Sequence, residues 1–202
     1  MEAKTDRRVR KTKAALRHGL ALLTQKKSMK EISVKELVEE VDINRSTFYL
    51  HYTDIYNMVA EIENELITEF KRAIDLYSPT SSEEEMCRFF EHIYSILRDN
   101  REICLALVSE NGDISFIRQV ENFVAEKVKK ILESGIIKDK YDVKYVFDFG
   151  ISGAMGLFKQ WLTDEDAPEP VHMGKITTNI IVGTFKNFDK NFKISDYANI
   201  KL

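Results

Sequence analysis

The sequence predicts an all-α fold. Three observations carry that expectation: apolar side chains recur at helical spacing along most of the chain, no stretch alternates with the two-residue period of a strand, and short polar Gly/Pro/Ser/Asn breaks separate the periodic runs. With 202 residues and 44% hydrophobic composition, the chain can bury an ample core as one large or two small domains. It contains no internal repeat and no low-complexity segment.

The first helix is expected over residues 5–25, with Val9, Leu16, Leu20 and Leu23 on its core face. Its start is crowded with Arg7, Arg8, Arg10, Lys11 and Lys13. Cations there oppose the helix dipole by a few tenths of a kcal/mol each, which suggests that they serve a partner. A solvated helix start is the plainer explanation, and it loses weight only beside the stretch that follows.

Residues 32–52 compress two helices and a tight turn. Val34, Leu37, Val38 and Val41 fall at i, i+3, i+4 and i+7, on one helical face. Ser33 and Glu36 form a capping-box pair before it. Asp42 tolerates positive φ and ends this helix, so that Ile43 can pack back, and Asn44 is an N-cap for a second helix over residues 45–50. Phe48 is the inward anchor of that helix. Arg45, Ser46, Thr47, Tyr49 and His51 point elsewhere, and all are donors suited to phosphates and base edges. A helix-turn-helix needs such a polar start on its second helix, although a simple capped αα-hairpin would carry the same caps.

Residues 5–58 resemble the DNA-binding domain of the TetR family of bacterial transcriptional regulators, and Asn44 to Asp54, NRSTFYLHYTD, carry the match. The resemblance implies a homodimer in which three N-terminal helices bind DNA while a larger helical body senses a ligand and dimerises. It also implies that Arg45, Ser46 and Thr47 face bases and phosphates, and that Tyr49, His51 and a small polar residue early in the first helix, Thr12, touch phosphates. The candidate DNA contacts are thus Thr12, Ser33, Asn44, Arg45, Ser46, Thr47, Tyr49 and His51. Two departures stand out: Asp42 replaces a common turn glycine, and Ile55 replaces a common lysine, which removes an expected phosphate contact.

Residues 53–77 carry the longest clean periodicity, from Ile55 through Ile62 and Phe70 to Tyr77, and Thr53 or Asp54 caps this connecting helix. Residues 78–82, SPTSS, are a polar boundary. Helices are expected next over 83–98, 101–109 and 114–133, with breaks at Asn111-Gly112 and Ser134-Gly135; Val128, Ile131 and Leu132 belong to the core face of the third.

In the helix expected over 141–162, Gly150, Gly153, Ala154 and Gly156 interrupt bulky apolar residues. Each interior glycine costs about 1 kcal/mol, so close approach of a neighbouring helix is the expected reason, with the helix over 171–188 as partner. The run from Phe149 to Trp161, with the 167–170 loop and the last helix, resembles the Firmicutes-type C-terminal domain of the same family. That likeness implies a four-helix dimer interface, for which Gly150, Gly153, Gly156, Ile176, Ile180 and Gly183 are candidates. A pocket for an apolar or aromatic effector could draw on Phe89, Phe90, Tyr94, Phe116, Phe123, Phe149, Met155 and Trp161.

Other classes fare poorly. Residues 150–154 lack the strand and the second glycine of a nucleophile elbow, and the glycine spacing fails the dinucleotide fingerprint. His18, His51, His92 and His172 are scattered, so no metal site, no cofactor and no catalytic role is expected. Cys87 and Cys104 read as buried free thiols in helical patterns. No signal sequence or membrane span is evident, and a cytoplasmic location is expected.

The net charge of −3 hides an asymmetry. Residues 1–52 hold 12 lysines and arginines against 7 aspartates and glutamates, a balance of +5, and the rest carries −8. A basic end steers toward phosphates and an acidic body discourages the wrong face from binding. The expectation is therefore a helix-turn-helix domain over 1–53 joined by a long helix to an effector-binding and dimerisation domain over 54–202. Its function would be ligand-responsive repression by a homodimer on double-stranded palindromic DNA. The alternative is a co-activator or protein-interaction module of the same fold that needs a partner protein.

Overall fold

The structure, a computed structural model, describes residues 2–112, 114–133, 140–188 and 193–197. All regular structure among them is helical: α1 (Glu2–Thr24), α2 (Val34–Glu40), α3 (Arg45–Tyr49), α4 (Ile55–Tyr77), α5 (Glu83–Asp99), α6 (Arg101–Val108), α7 (Ile114–Glu133), α8 (Lys140–Thr163) and α9 (Pro170–Phe188). Single 3-10 turns occur at Met29–Glu31 and Ile194–Tyr197. The expected break at Ser134 and Gly135 lies outside the described residues, as do the side chains of Val128, Ile131 and Leu132.

The chain divides into two compact units, Met1–Leu66 with Asn100–Ile117 and Ile67–Asp99 with Arg118–Leu202. Both are discontinuous in sequence, and α4 contributes its first half to one and its second half to the other. These packing units do not coincide with the expected division between residues 53 and 54.

In the first unit, Leu16, Leu20, Leu37, Phe48, Met58, Ile62 and Leu107 are fully buried. Segment 100–117 joins this unit because α6 packs on α1. Asn111 then ties the following turn down: its carbonyl accepts from the Met29 N–H at 2.8 Å and its Nδ2 donates to the Thr24 carbonyl at 3.1 Å. These bonds satisfy groups that the end of α1 and the start of the next turn would otherwise leave open.

In the second unit, α9 lies along α5. Gly174 permits this, since a Cβ there would stand 2.9 Å from the Cys87 carbonyl oxygen and from the Glu91 amide nitrogen. Tyr94 Oη and Thr177 Oγ1 share a buried hydrogen bond of 3.0 Å, and burial raises the Tyr94 phenol above its ordinary pKa. Trp161 Nε1 donates to the Pro168 carbonyl at 2.7 Å, fixing the loop between α8 and α9.

The glycines of α8 are not used as expected. Around Gly150, Gly153 and Gly156, and likewise Gly183 on α9, nothing lies within 4 Å of where a Cβ would sit. The close approach of α9 is made instead to α5 at Gly174, and the α8 glycines face open space. Neither cysteine is in a disulfide; Cys104 is buried as expected, whereas Cys87 is only half-buried. Among the described residues no helix is long and apolar enough to cross a membrane, and no group of His, Cys, Asp and Glu could hold a metal.

Candidate nucleic-acid interface

The geometry begins at the capping box of α2. Ser33 Oγ accepts from the Glu36 N–H at 3.3 Å, while the Glu36 carboxylate accepts from the Ser33 N–H at 3.0 Å and from its hydroxyl at 2.7 Å. Lys27 Nζ also donates to Glu36, at 2.5 Å. The Lys27 bond foremost, and the Ser33 bonds after it, hold the Glu36 carboxyl down at about 2. Ser33 therefore commits both of its donors inside the protein, so a contact from it to a phosphate would compete with the cap.

The turn forms as its sequence dictates. Asp42 has φ 51°, the Ile43 N–H reaches the Val38 carbonyl at 3.0 Å, and the Asp42 N–H reaches Glu39 at 3.4 Å. This is a Schellman closure with aspartate in the left-handed position usually given to glycine. Asn44 occupies the N-cap of α3 with extended backbone, but its side chain makes no capping hydrogen bond. The cap position was expected; the uncommitted side-chain amide was not.

Phe48 is completely buried and fixes α3 to its unit, stacking against Tyr52 at 5.7 Å between ring centroids. Around it, Asn44, Arg45, Ser46 and Tyr49 are exposed, and Thr47 and His51 are half-buried. Asp54, rather than Thr53, caps α4 by accepting from the Asn57 N–H at 2.8 Å, and the Thr53 N–H donates to Asn57 Oδ1 at 3.1 Å. The helix following α3 is thereby held at its first turn.

The basic residues of α1 separate into two groups. Lys13 pairs with Glu61 at 3.5 Å and lies over the Tyr52 ring at 5.3 Å, while Arg17 pairs with Glu65. These two brace α1 against α4. Arg7, Arg8 and Lys11 are exposed, and Thr12 is half-buried on the same helix. The expected basic run is accordingly shorter on its open side, because Lys13 is drawn inward by acidic residues of α4.

The eight aromatic and methionine candidates for a pocket do different things. Phe90 and Tyr94 pack on Phe158 at centroid distances of 6.4 and 5.0 Å, and Trp161 packs on Tyr94 at 5.1 Å, a filled aromatic core. Phe89 is half-buried against Phe90, Met155 is half-buried, and Phe123 lies beneath the Lys71 and Lys127 ammonium groups. Phe116 is buried in the other unit, and Phe149 is 66% exposed. A shallow apolar groove runs instead between α8 and α9, lined by Phe149, Gly150, Gly153, Leu157, Ile180 and Phe185 among others. Three of the six dimer candidates, Gly150, Gly153 and Ile180, lie along it. The sequence pattern marked these residues as unusual but could not say that their own chain leaves them uncovered.

Fold and site together define an all-α protein with an N-terminal helix-turn-helix and a helical body. Residues 84–183 match the family TetR_C_8, a transcriptional regulator C-terminal region. The chain belongs to the TetR family of transcriptional regulators. The crystal structure of a TetR transcriptional regulator from Streptococcus agalactiae 2603V is similar in fold, with a TM-score of 0.50 and 19% sequence identity over 90% of this chain and 99% of that one. No curated protein matches the chain.

Proposed function

We propose that the chain is a sequence-specific DNA-binding repressor, without catalytic activity, that acts in the cytoplasm as a homodimer on a palindromic operator. The observation that carries this reading is α3: a helix pinned by one buried side chain, Phe48, after a tight turn, with exposed Asn44, Arg45, Ser46 and Tyr49 around it. Residues 1–53 form the DNA-reading domain, with Thr12, Thr47 and His51 as further contacts and Ser33 as one that would exchange its bond to Glu36 for a phosphate. Residues 54–202 form the effector-binding and dimerisation body. The open glycine face of α8 with Ile176, Ile180 and Gly183 of α9 supports a helix-on-helix contact with a second copy, since small residues let backbones approach closely. Two recognition helices about 34–36 Å apart would then enter successive major grooves. An apolar or aromatic effector would lower DNA affinity only by its differential binding to a misaligned state.

Selection of binders from a random duplex pool, repeated at higher salt, tests the reading. Enrichment of a palindrome with salt-sensitive affinity is expected. Enrichment only when a second protein is added would favour the partner-dependent module.

A further inference from the structure

Leu50 follows α3 directly, in helical backbone conformation, with its N–H bonded to Ser46. It is 79% exposed, while Leu16, Leu20, Leu23 and Leu37 of the same unit are buried. A single exposed leucine needs no explanation in itself. Its direction does. Each helical residue turns about 100°, so Ser46 and Leu50, four apart, straddle the direction opposite Phe48, the side chain that is completely buried. The most outward point of the recognition segment thus pairs a hydroxyl with a bare isobutyl group. Folding does not account for that group, because nothing in the first unit covers it.

We infer that Leu50 is a specificity-determining residue that reads a thymine through its 5-methyl group. This rests on the proposed DNA-binding function and deepens it. Among base-edge features in the major groove, the thymine methyl alone is satisfied by an apolar contact and not by a hydrogen bond. The surroundings fit a nucleic-acid occupant: exposed Asn44, Arg45, Ser46 and Tyr49 supply donors around Leu50, and residues 1–52 carry a balance of +5. An apolar protein partner would find only one aliphatic side chain amid these donors. A duplex would offer phosphates to the donors and a methyl to the leucine.

The test is a cycle between protein and DNA. The full-length chain selects a duplex from a random pool, and each thymine of that duplex is then replaced singly by deoxyuridine, which removes only the methyl. Affinities are compared for the wild type and Leu50→Ala at one salt concentration, with melting curves confirming that both are folded. One thymine per half-site is expected at which loss of the methyl weakens the wild type about fourfold, the worth of one buried methyl-sized group. Leu50→Ala should be weaker on the parent duplex and indifferent to that replacement. Equal sensitivity of both proteins at every thymine, or a selected half-site without thymine, would overturn the inference while leaving DNA binding in place. Failure of the wild type to select any duplex would remove it together with the DNA-binding reading.

Discussion

Glu36 secures the start of α2 and links it to Lys27, so its ionisation is part of the fold. Its carboxyl sits at about 2 in the folded chain, against an ordinary 4.5. A depressed acid contributes stability that is complete above its unfolded pKa and is lost as pH falls toward the folded one. Glu36→Gln should therefore lower stability at neutral pH and flatten its decline between about pH 4.5 and 2, as read by urea unfolding across that window. A decline identical to the wild type would show that the pair adds nothing. On the proposed reading surface, Arg45→Ala should cost about 1–3 kcal/mol of discrimination between sites, whereas Tyr49→Phe should weaken all sequences alike. Competition binding on matched and mismatched duplexes separates the two, and a selective loss with Tyr49→Phe would make Tyr49 a base reader. The αL aspartate and the serine cap were legible because they depend on neighbours within five residues. The uncommitted side chain of Asn44 was not, because an N-cap residue type does not say whether its side chain will turn to the helix.

Gly174 and Gly153 illustrate two uses of a small residue in a helix. Gly174→Ala places a Cβ against the α5 backbone, 2.9 Å from two of its atoms, and α9 must shift. A loss of about 1–3 kcal/mol is expected, typical of overpacking, in chemical denaturation. At Gly153 a Cβ would meet nothing within 4 Å, so for Gly153→Leu circular dichroism should show an intact fold while sedimentation shows a weakened dimer. A normal dimer would argue against the α8 face as the contact. Nearly every helix could be placed from the sequence, because caps and turn residues such as Asp54 and Asn111-Gly112 mark the ends locally. Which helix each small residue addresses could not. Gly174 lies in the same sequence context as any helical glycine, and its neighbour α5 is 83 positions away at the Glu91 amide, a relation periodicity does not encode.

Across the whole chain, the charge asymmetry should appear as salt dependence. The exposed Arg7 is free of the inward pairing that engages Lys13 and Arg17. Arg7→Ala should thus reduce the slope of log affinity against log salt by about 0.9 if it neutralises one phosphate. Glu84→Gln, in the acidic body, should leave the slope unchanged; anisotropy titrations at several salt concentrations measure both. Equal slopes for Arg7→Ala and the wild type would place the basic helix start off the DNA. The clasp at Asn111 bears on synthesis as well. Its bond to Thr24 joins residues 87 positions apart, and α6 supplies Ile103, Cys104 and Leu107 to the core of the unit that contains the helix-turn-helix. On the ribosome, that unit stays incomplete until more than half of the chain has been translated. A product terminated before residue 100 would leave the α1 face that receives α6 uncovered, and is expected to be cleared by proteolysis instead of accumulating.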